Sequence, residues 1–206
     1  MLRPLLPKPS TVPHRSTRGS RKHCNGRRSS PGLTEVRFHR PTLLDLDKHH
    51  RNEFTSGETT LDEWLRRYAG QNRRGNTAAV WLITDANHKA VCYASLSMTS
   101  VDRSASPKPL GKGAPRQIPA LLIGRLATDT RVAGFGLGTE MVKHILATAA
   151  ELNIKAACRA VVVTALNAEA FRWWQRFGFE PLDADEPANL DLYLLTKDIA
   201  ETLASL

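Results

Sequence analysis

Long apolar runs are missing from this 206-residue chain, and none approaches the roughly 20 residues a membrane-spanning helix needs. The opening Met1-Leu-Arg-Pro-Leu-Leu-Pro-Lys-Pro is broken by proline where a secretory signal needs a continuous apolar stretch. A cytoplasmic protein is therefore expected. Cysteine is scarce: Cys24, Cys92 and Cys158 are odd in number and far apart, and none sits in a C-x-x-C or Cys/His pattern. That excludes a disulfide framework and a zinc site. The adjacent His49-His50 cannot face one way on a regular helix or strand, and no carboxylate-rich motif joins it, so no metal is expected. Internal repeats are absent.

The composition is that of a globular protein, with 41% hydrophobic and 24% charged residues, enough for one buried domain and some surplus. The net charge of +9 is unevenly spread. Residues 1–30 hold eight Lys/Arg and no Asp or Glu, leaving 21 basic against 20 acidic residues in the remainder. This basic stretch is rich in Pro, Ser and Gly and lacks periodic apolar residues, so residues 1–33 read as a disordered tail and 34–206 as the domain. The tail is either an arm that touches a polyanion or a merely solvated extension.

Order should begin near Glu35, with Val36-Arg-Phe38 as a short strand. Thr60-Leu-Asp-Glu63 reads as a capping box, followed by Leu61, Trp64, Leu65 and Tyr68 on one buried helix face, with Gly75 closing the element. Strands are expected over 78–84 and 90–101, joined by a turn at 85–88, and residues 102–117 read as a loop. The next strand, 118–128, contains Gly124, which suggests a bulge or close backbone approach. A glycine-rich turn then opens a helix with Leu137, Met141, Val142, Ile145, Leu146 and Ala149 on one face. The apolar stretch 158–165 fits a strand buried on both sides. Asn167 should cap a helix burying Ala170, Phe171, Trp174 and Phe177, before a last strand near 191–196 and a short helix. Strand, helix and strand around the glycine turn form a right-handed βαβ unit, so 118–128 and 156–165 should be parallel neighbours. The expected fold is α/β: a mixed sheet with helices on both faces.

Gly134-Phe-Gly136-Leu-Gly138 lies directly between a strand and a helix. Unpaired amides and partial positive charge at a helix N-terminus suit a pyrophosphate, and glycine lets the backbone approach it. A dinucleotide site would need this turn after the first strand and an acidic residue about 20 positions on. A P-loop would need a following Gly-Lys-Ser/Thr, which is missing. Acyl-CoA fits better.

The run Gly124-Arg-Leu-Ala-Thr-Asp-Thr-Arg-Val-Ala-Gly-Phe-Gly-Leu-Gly138 resembles the fourth strand and pyrophosphate motif of the GNAT acetyltransferases. Asn167-Ala-Glu-Ala-Phe-Arg-Trp-Trp-Gln-Arg-Phe-Gly-Phe179 resembles that superfamily's N-x-x-A-x-x-[LF]-Y-x-x-x-G-F motif. Leu61-Asp-Glu-Trp-Leu65, Ala69-Gly-Gln-Asn72, Gly75 and the phrase Ile-Pro…Gly-Arg-Leu-Ala are similar to the GNAT toxins of toxin–antitoxin pairs. The likeness spans about residues 38–198. It implies a GNAT fold, a six- to seven-stranded sheet in which two central parallel strands splay around acetyl-CoA. It implies that the backbone at Leu126, Ala127 and Thr128 pairs with the pantetheine, with a Leu126 or Ala127 amide steadying the oxyanion. Ala133, Gly134, Phe135, Gly136, Leu137, Gly138 and Thr139 would cradle the pyrophosphate. Asn167 would bind the pantetheine arm or serve as a plain N-cap.

Two positions depart from the pattern. Ala133 and Phe135 stand where the family usually has polar or basic residues, with Arg131 as a replacement charge. Trp174 stands at the position of the tyrosine that protonates the departing thiolate. An indole N–H donates a hydrogen bond but releases no proton at neutral pH, so Trp174 either assists the sulfur by hydrogen bonding or only packs.

The resemblance also implies the acceptor: the α-amine of an aminoacyl-tRNA, whose acetylation stops translation. Candidate tRNA contacts are Arg66, Arg67, Arg73, Arg74 and Arg125. It further implies a ribbon-helix-helix antitoxin and a homodimer. An acetyltransferase for a small amine or a protein amine is the alternative, and a non-catalytic CoA-binding module a third.

Overall fold

The computed structural model describes residues 37–186 and 188–205. The expectations for the basic tail, including its disorder, and for Cys24 and Val36 lie outside these residues. Phe38, the last residue of the expected first strand, makes an isolated antiparallel bridge with Asp85.

Seven strands form one sheet: β1 (Thr42–Leu43), β2 (Ala79–Thr84), β3 (Ala90–Asp102), β4 (Gln117–Thr128), β5 (Ala160–Thr164), β6 (Glu180–Pro181) and β7 (Asp191–Leu195), in the order β1-β2-β3-β4-β5-β7-β6. Among the described strands only β4 and β5 run parallel; every other pair is antiparallel. The parallel pair is joined by α4 (Leu137–Ala156), as the βαβ reading requires. All six apolar residues expected on its inner face are buried. They pack with Trp174, Phe177 and Phe179 on one side of the sheet. The opposite side is covered by α1 (Thr59–Glu63) and α2 (Ala69–Arg74), whose cluster includes Trp64, Leu65, Ala69, Tyr93 and Ala127.

The start of α1 departs from expectation. Glu58, not Thr60, is the N-cap residue, and no side chain caps it. The entry is fixed instead by Asp62, whose Oδ1 accepts from the Ser56 N–H at 2.8 Å and the Ser56 hydroxyl at 2.6 Å. Trp64–Tyr68 between α1 and α2 is π-helical. A π turn takes more residues than an α turn, so the i, i+7 stripe drifts and Tyr68 emerges half exposed instead of buried. The expected loop 102–117 holds a short helix, α3 (Lys108–Gly111), which buries Leu110 against β4, β5 and β7.

One irregularity decides how the sheet serves a ligand. Ser95 faces Arg125 and Leu96 faces Ile123, so Gly124 is an extra residue on β4, a β-bulge. A Cβ at Gly124 would lie 3.1 Å from Ser95 Oγ, which is why glycine sits there. Pairing with β5 runs from Ala120↔Ala160 to Ile123↔Val163 and stops at the bulge. From Gly124 to Thr128, β4 continues along β3 alone, and the two parallel strands part.

Candidate active site

Beyond Thr128 the chain makes a 3-10 turn, Thr130–Val132, and enters α4 through Gly134 at φ +84° and Gly136 at φ +77°. That left-handed backbone disfavours any residue with a Cβ. A Cβ at either glycine would meet nothing within 4 Å, so the space before the turn is open. Gly136 is the N-cap and no side chain bonds the helix start. The bond from the Glu140 N–H to the Gly136 carbonyl is the i→i−4 link that begins the helical ladder. The amides of Leu137, Gly138 and Thr139 therefore have no intrahelical acceptor, an arrangement of donors that suits an anion.

These amides open onto a cleft of about 740 Å³ lined by Leu126, Ala127 and Thr128 of β4, by the glycine turn, and by Asn167, Trp173, Trp174 and Arg176 around helix α5 (Ala168–Gln175). Every cofactor-binding residue named from the sequence lines it except Phe135. The Phe135 ring projects into solvent and meets Phe38 edge-on at 5.8 Å. Ser56, Glu169, Ala170, Trp173 and Arg176 also line the cleft and were not foreseen. A Cβ at Gly138 would lie 3.3 Å from the Trp173 ring, so a small residue is needed opposite it.

The Asp129 N–H bonds to the Val91 carbonyl on β3. In an antiparallel pair, backbone groups of alternate residues point the same way, so Ala127 also faces β3. Leu126 and Thr128 then present their N–H and C=O groups to the gap that β5 leaves. The expectation for the Leu126 and Ala127 backbones thus divides: Leu126 can meet a ligand, while the Ala127 amide is spent on the sheet. Beneath Thr128, whose hydroxyl donates to Cys92 Sγ at 3.5 Å, burial pushes the Cys92 thiol up to about 12. It stays protonated and is no nucleophile.

Asn167 adopts the N-cap geometry, its Oδ1 accepting from the Ala170 N–H at 2.9 Å. It lines the cleft as well, so the cap bond leaves it in the cleft wall. Trp174 is buried, 4.9 Å from Trp173 and 5.1 Å from Phe179 between ring centroids, yet contributes to the cleft wall.

Arg131 does not replace the missing charge. Its Nε and one terminal nitrogen each donate at 2.8 Å to the buried Asp129 carboxylate, and it lies off the cleft. Burial alone would raise the Asp129 pKa, but the hydrogen bonds from Arg131 and the Thr55 amide outweigh it and hold the group below its ordinary value.

The five arginines expected to meet tRNA have the following surroundings. Arg66 donates to the Phe54 carbonyl at 3.2 Å, and Arg67 lies 3.7 Å from Glu63. Arg73 and Arg74 border a shallow depression with Asp45 and Asp47. Arg125 lies 4.5 Å above the Trp64 ring, which stacks on Tyr93. Among the described residues no group of three His, Cys, Asp or Glu side chains could hold a metal ion, and no helix is long and apolar enough to cross a membrane.

The model of the acetyltransferase (GNAT) family matches residues 43–179. A tRNA-acetylating toxin of Mycobacterium tuberculosis (strain ATCC 25618 / H37Rv) is 31% identical over 146 residues, 70% of this chain and 85% of the relative. AtaT complexed with acetyl-methionyl-tRNAfMet has a similar fold, with TM-score 0.73 and 23% identity over 80% of this chain and 98% of that one. So has a tyrosine-to-phenylalanine mutant of AtaT bound to the C-terminus of the antitoxin AtaR and acetyl-CoA, with TM-score 0.68 and 22% identity over 80% and 97%.

Proposed function

The chain belongs to the GNAT acetyltransferase family, and from that premise we propose that it transfers the acetyl group of acetyl-CoA to the α-amine of an aminoacyl-tRNA. The observation that carries the donor half is the parting of β4 and β5 at Ile123↔Val163 beside the uncapped start of α4. The acceptor half rests on the likeness to a tRNA-acetylating toxin along most of that protein's length.

The residues fit the donor. The glycine turn offers the free amides of Leu137, Gly138 and Thr139 to the pyrophosphate, in front of a space no Cβ fills. Leu126 and Thr128 offer main-chain groups to the amides of the pantetheine, and Asn167 Nδ2 is left for a pantetheine carbonyl. Acetyl-CoA supplies an acyl group already activated for attack by an amine. The main-chain N–H of Leu126 would hold the negative charge that builds on its carbonyl oxygen, a contribution of about 3 kcal/mol in comparable sites. Trp174 packs the wall and gives at most an N–H to the sulfur. Proton delivery to the leaving thiolate falls to water, tolerable for a thiol of pKa near about 8.5. The aminoacyl-tRNA places the reaction in the cytoplasm. A ribbon-helix-helix antitoxin and a homodimer complete the reading.

The engagement of Arg66 by the Phe54 carbonyl and of Arg67 by Glu63 favours a second reading, a small-amine acceptor. Incubating the protein with labelled acetyl-CoA and a pool of charged tRNAs decides between them. Label should appear on charged tRNA in the wild type, and in Trp174→Phe at a rate within about tenfold of it, since no general acid is lost. Label on small amines but never on charged tRNA would establish the second reading.

A further inference from the structure

The family's usual basic side chain in the glycine turn is missing here, with Ala133 and Phe135 in the relevant places, and Arg131 is locked to Asp129. The cleft nevertheless has a cation. Among the residues lining it, the charged side chains are Glu169 and Arg176, both on or beside α5. They are seven positions apart, about two helical turns or about 10 Å, so they lie on one helix face with opposite charge at its two ends. The orientation of α5 follows from two contacts. Asn167 at its start lines the cleft where β4 and β5 part, whereas Trp173 near its end lies against Gly138 in the turn. Arg176 follows one turn later, its guanidinium 6.0 Å from the Trp173 ring centre. The negative end of α5 thus accompanies the neutral pantetheine region, and the positive end accompanies the phosphate region.

We infer that Arg176, steadied over Trp173, is the phosphate-binding cation of this site and reads the nucleotide end of the acyl donor from the opposite wall of the cleft. This rests on the acetyl-CoA reading above. It assigns to a side chain on α5 the charge that the glycine turn has lost. A guanidinium against a phosphate makes charge-assisted, often paired, hydrogen bonds, and stacking on an indole keeps its plane oriented. Arg176 is solvent-exposed, so its removal leaves the core intact.

Calorimetric titration of the full chain with acetyl-CoA and with acetyl-3′-dephospho-CoA tests the inference without reference to turnover. Arg176→Gln should raise the Kd for acetyl-CoA about five- to tenfold, with the melting temperature of the free protein unchanged. Arg176→Lys should recover part of the loss, because charge returns without the planar fork. If the contact is to the 3′-phosphate, the defect disappears with the dephospho donor; if it is to the pyrophosphate, both donors lose equally. Either pattern sustains the inference. Equal Kd values for wild type and Arg176→Gln would overturn it while leaving the donor assignment intact. Failure of the wild type to bind acetyl-CoA at all would instead remove the reading on which it rests.

Discussion

The donor cleft and the arginine-bearing segment made of the π-helical turn Trp64–Tyr68 and α2 flank the same sheet but are made of different material. The cleft presents main chain: the free amides of the glycine turn, and Leu126 and Thr128 where β4 leaves β5. The other side presents long cationic side chains: Arg66 on the Phe54 carbonyl, Arg67 near Glu63 and, from β4, Arg125 over the Trp64 ring. Backbone groups are positioned by the fold itself, so substitutions such as Ala133 and Phe135 can leave their geometry untouched. A guanidinium on four rotatable bonds has no position until tertiary neighbours give it one. Sites of the first kind should be destroyed by changes in backbone conformation, and sites of the second kind by changes in partners.

The largest effect therefore belongs to the turn. Gly136→Val places a β-branched residue at φ +77°, a strain of about 1–3 kcal/mol, and the chain escapes it by turning the amides away. Acetyl-CoA should then give no thermal stabilisation of a protein that still unfolds cooperatively. An undiminished shift with acetyl-CoA would show that the turn's backbone is not the anchor.

Asp129 bounds the main-chain description, because the turn leans on this one buried side chain. It accepts from the Thr55 N–H at 3.1 Å and the Arg131 N–H at 2.9 Å as well as from the Arg131 fork. Asp129→Ala leaves two amides without their acceptor and should cost about 2–4 kcal/mol in urea denaturation at neutral pH. The sign of the pH dependence follows from the depressed pKa. Folded Asp129 holds its proton less tightly than the unfolded chain, so its contribution is full above the ordinary value of 3.8 and fades as pH falls through the folded value. The gap between wild type and Asp129→Ala should narrow across that acid range. A gap that stayed constant with pH would mean that the carboxylate's charge is not what holds the turn.

The same division explains what could be read from the sequence. Glycine at 134, 136 and 138 between a strand and an apolar-striped helix has few physical explanations, and the structure puts those residues around one cleft. Gly124 announced its bulge for the same reason, since a Cβ there would press on Ser95. What escaped notice depended on burial and local geometry that residue spacing alone does not encode. Arg131 looked available until Asp129, two residues away but buried by β3, took its guanidinium. Thr60-x-x-Glu63 had the spacing of a capping box, yet the Ser56–Asp62 hydrogen bonds accompany a helix entry two residues earlier, at Glu58. Tyr68 fell on the apolar stripe of an ideal α-helix and left it because Trp64–Tyr68 is π-helical. Arg176 lay within the matched motif, but nothing local said that the end of α5 meets the glycine turn.

The smallest predicted effects test whether the helical side is a site at all. Arg67, two-thirds exposed and 3.7 Å from Glu63, is a surface ion pair, so Arg67→Ala should change stability by no more than about 0.5 kcal/mol. Arg125 is different in kind. Its guanidinium lies over Trp64 on the face of β4 opposite α4, one residue past the bulge where the parallel strands part. An acceptor entering from that face passes it before reaching the Leu126 backbone. Arg125→Ala should cost about 0.5–1 kcal/mol from the lost cation–π contact. It should also lower kcat/KM for charged tRNA while leaving the Kd for acetyl-CoA unchanged. If Arg67→Ala impaired tRNA acetylation more than Arg125→Ala, the acceptor would approach along the exposed helix face, and the basic residues of the π-helical turn and α2 would form a docking surface. If neither variant changed tRNA kinetics, the acceptor side would owe nothing to these cations, and a small amine would be the better substrate to pursue.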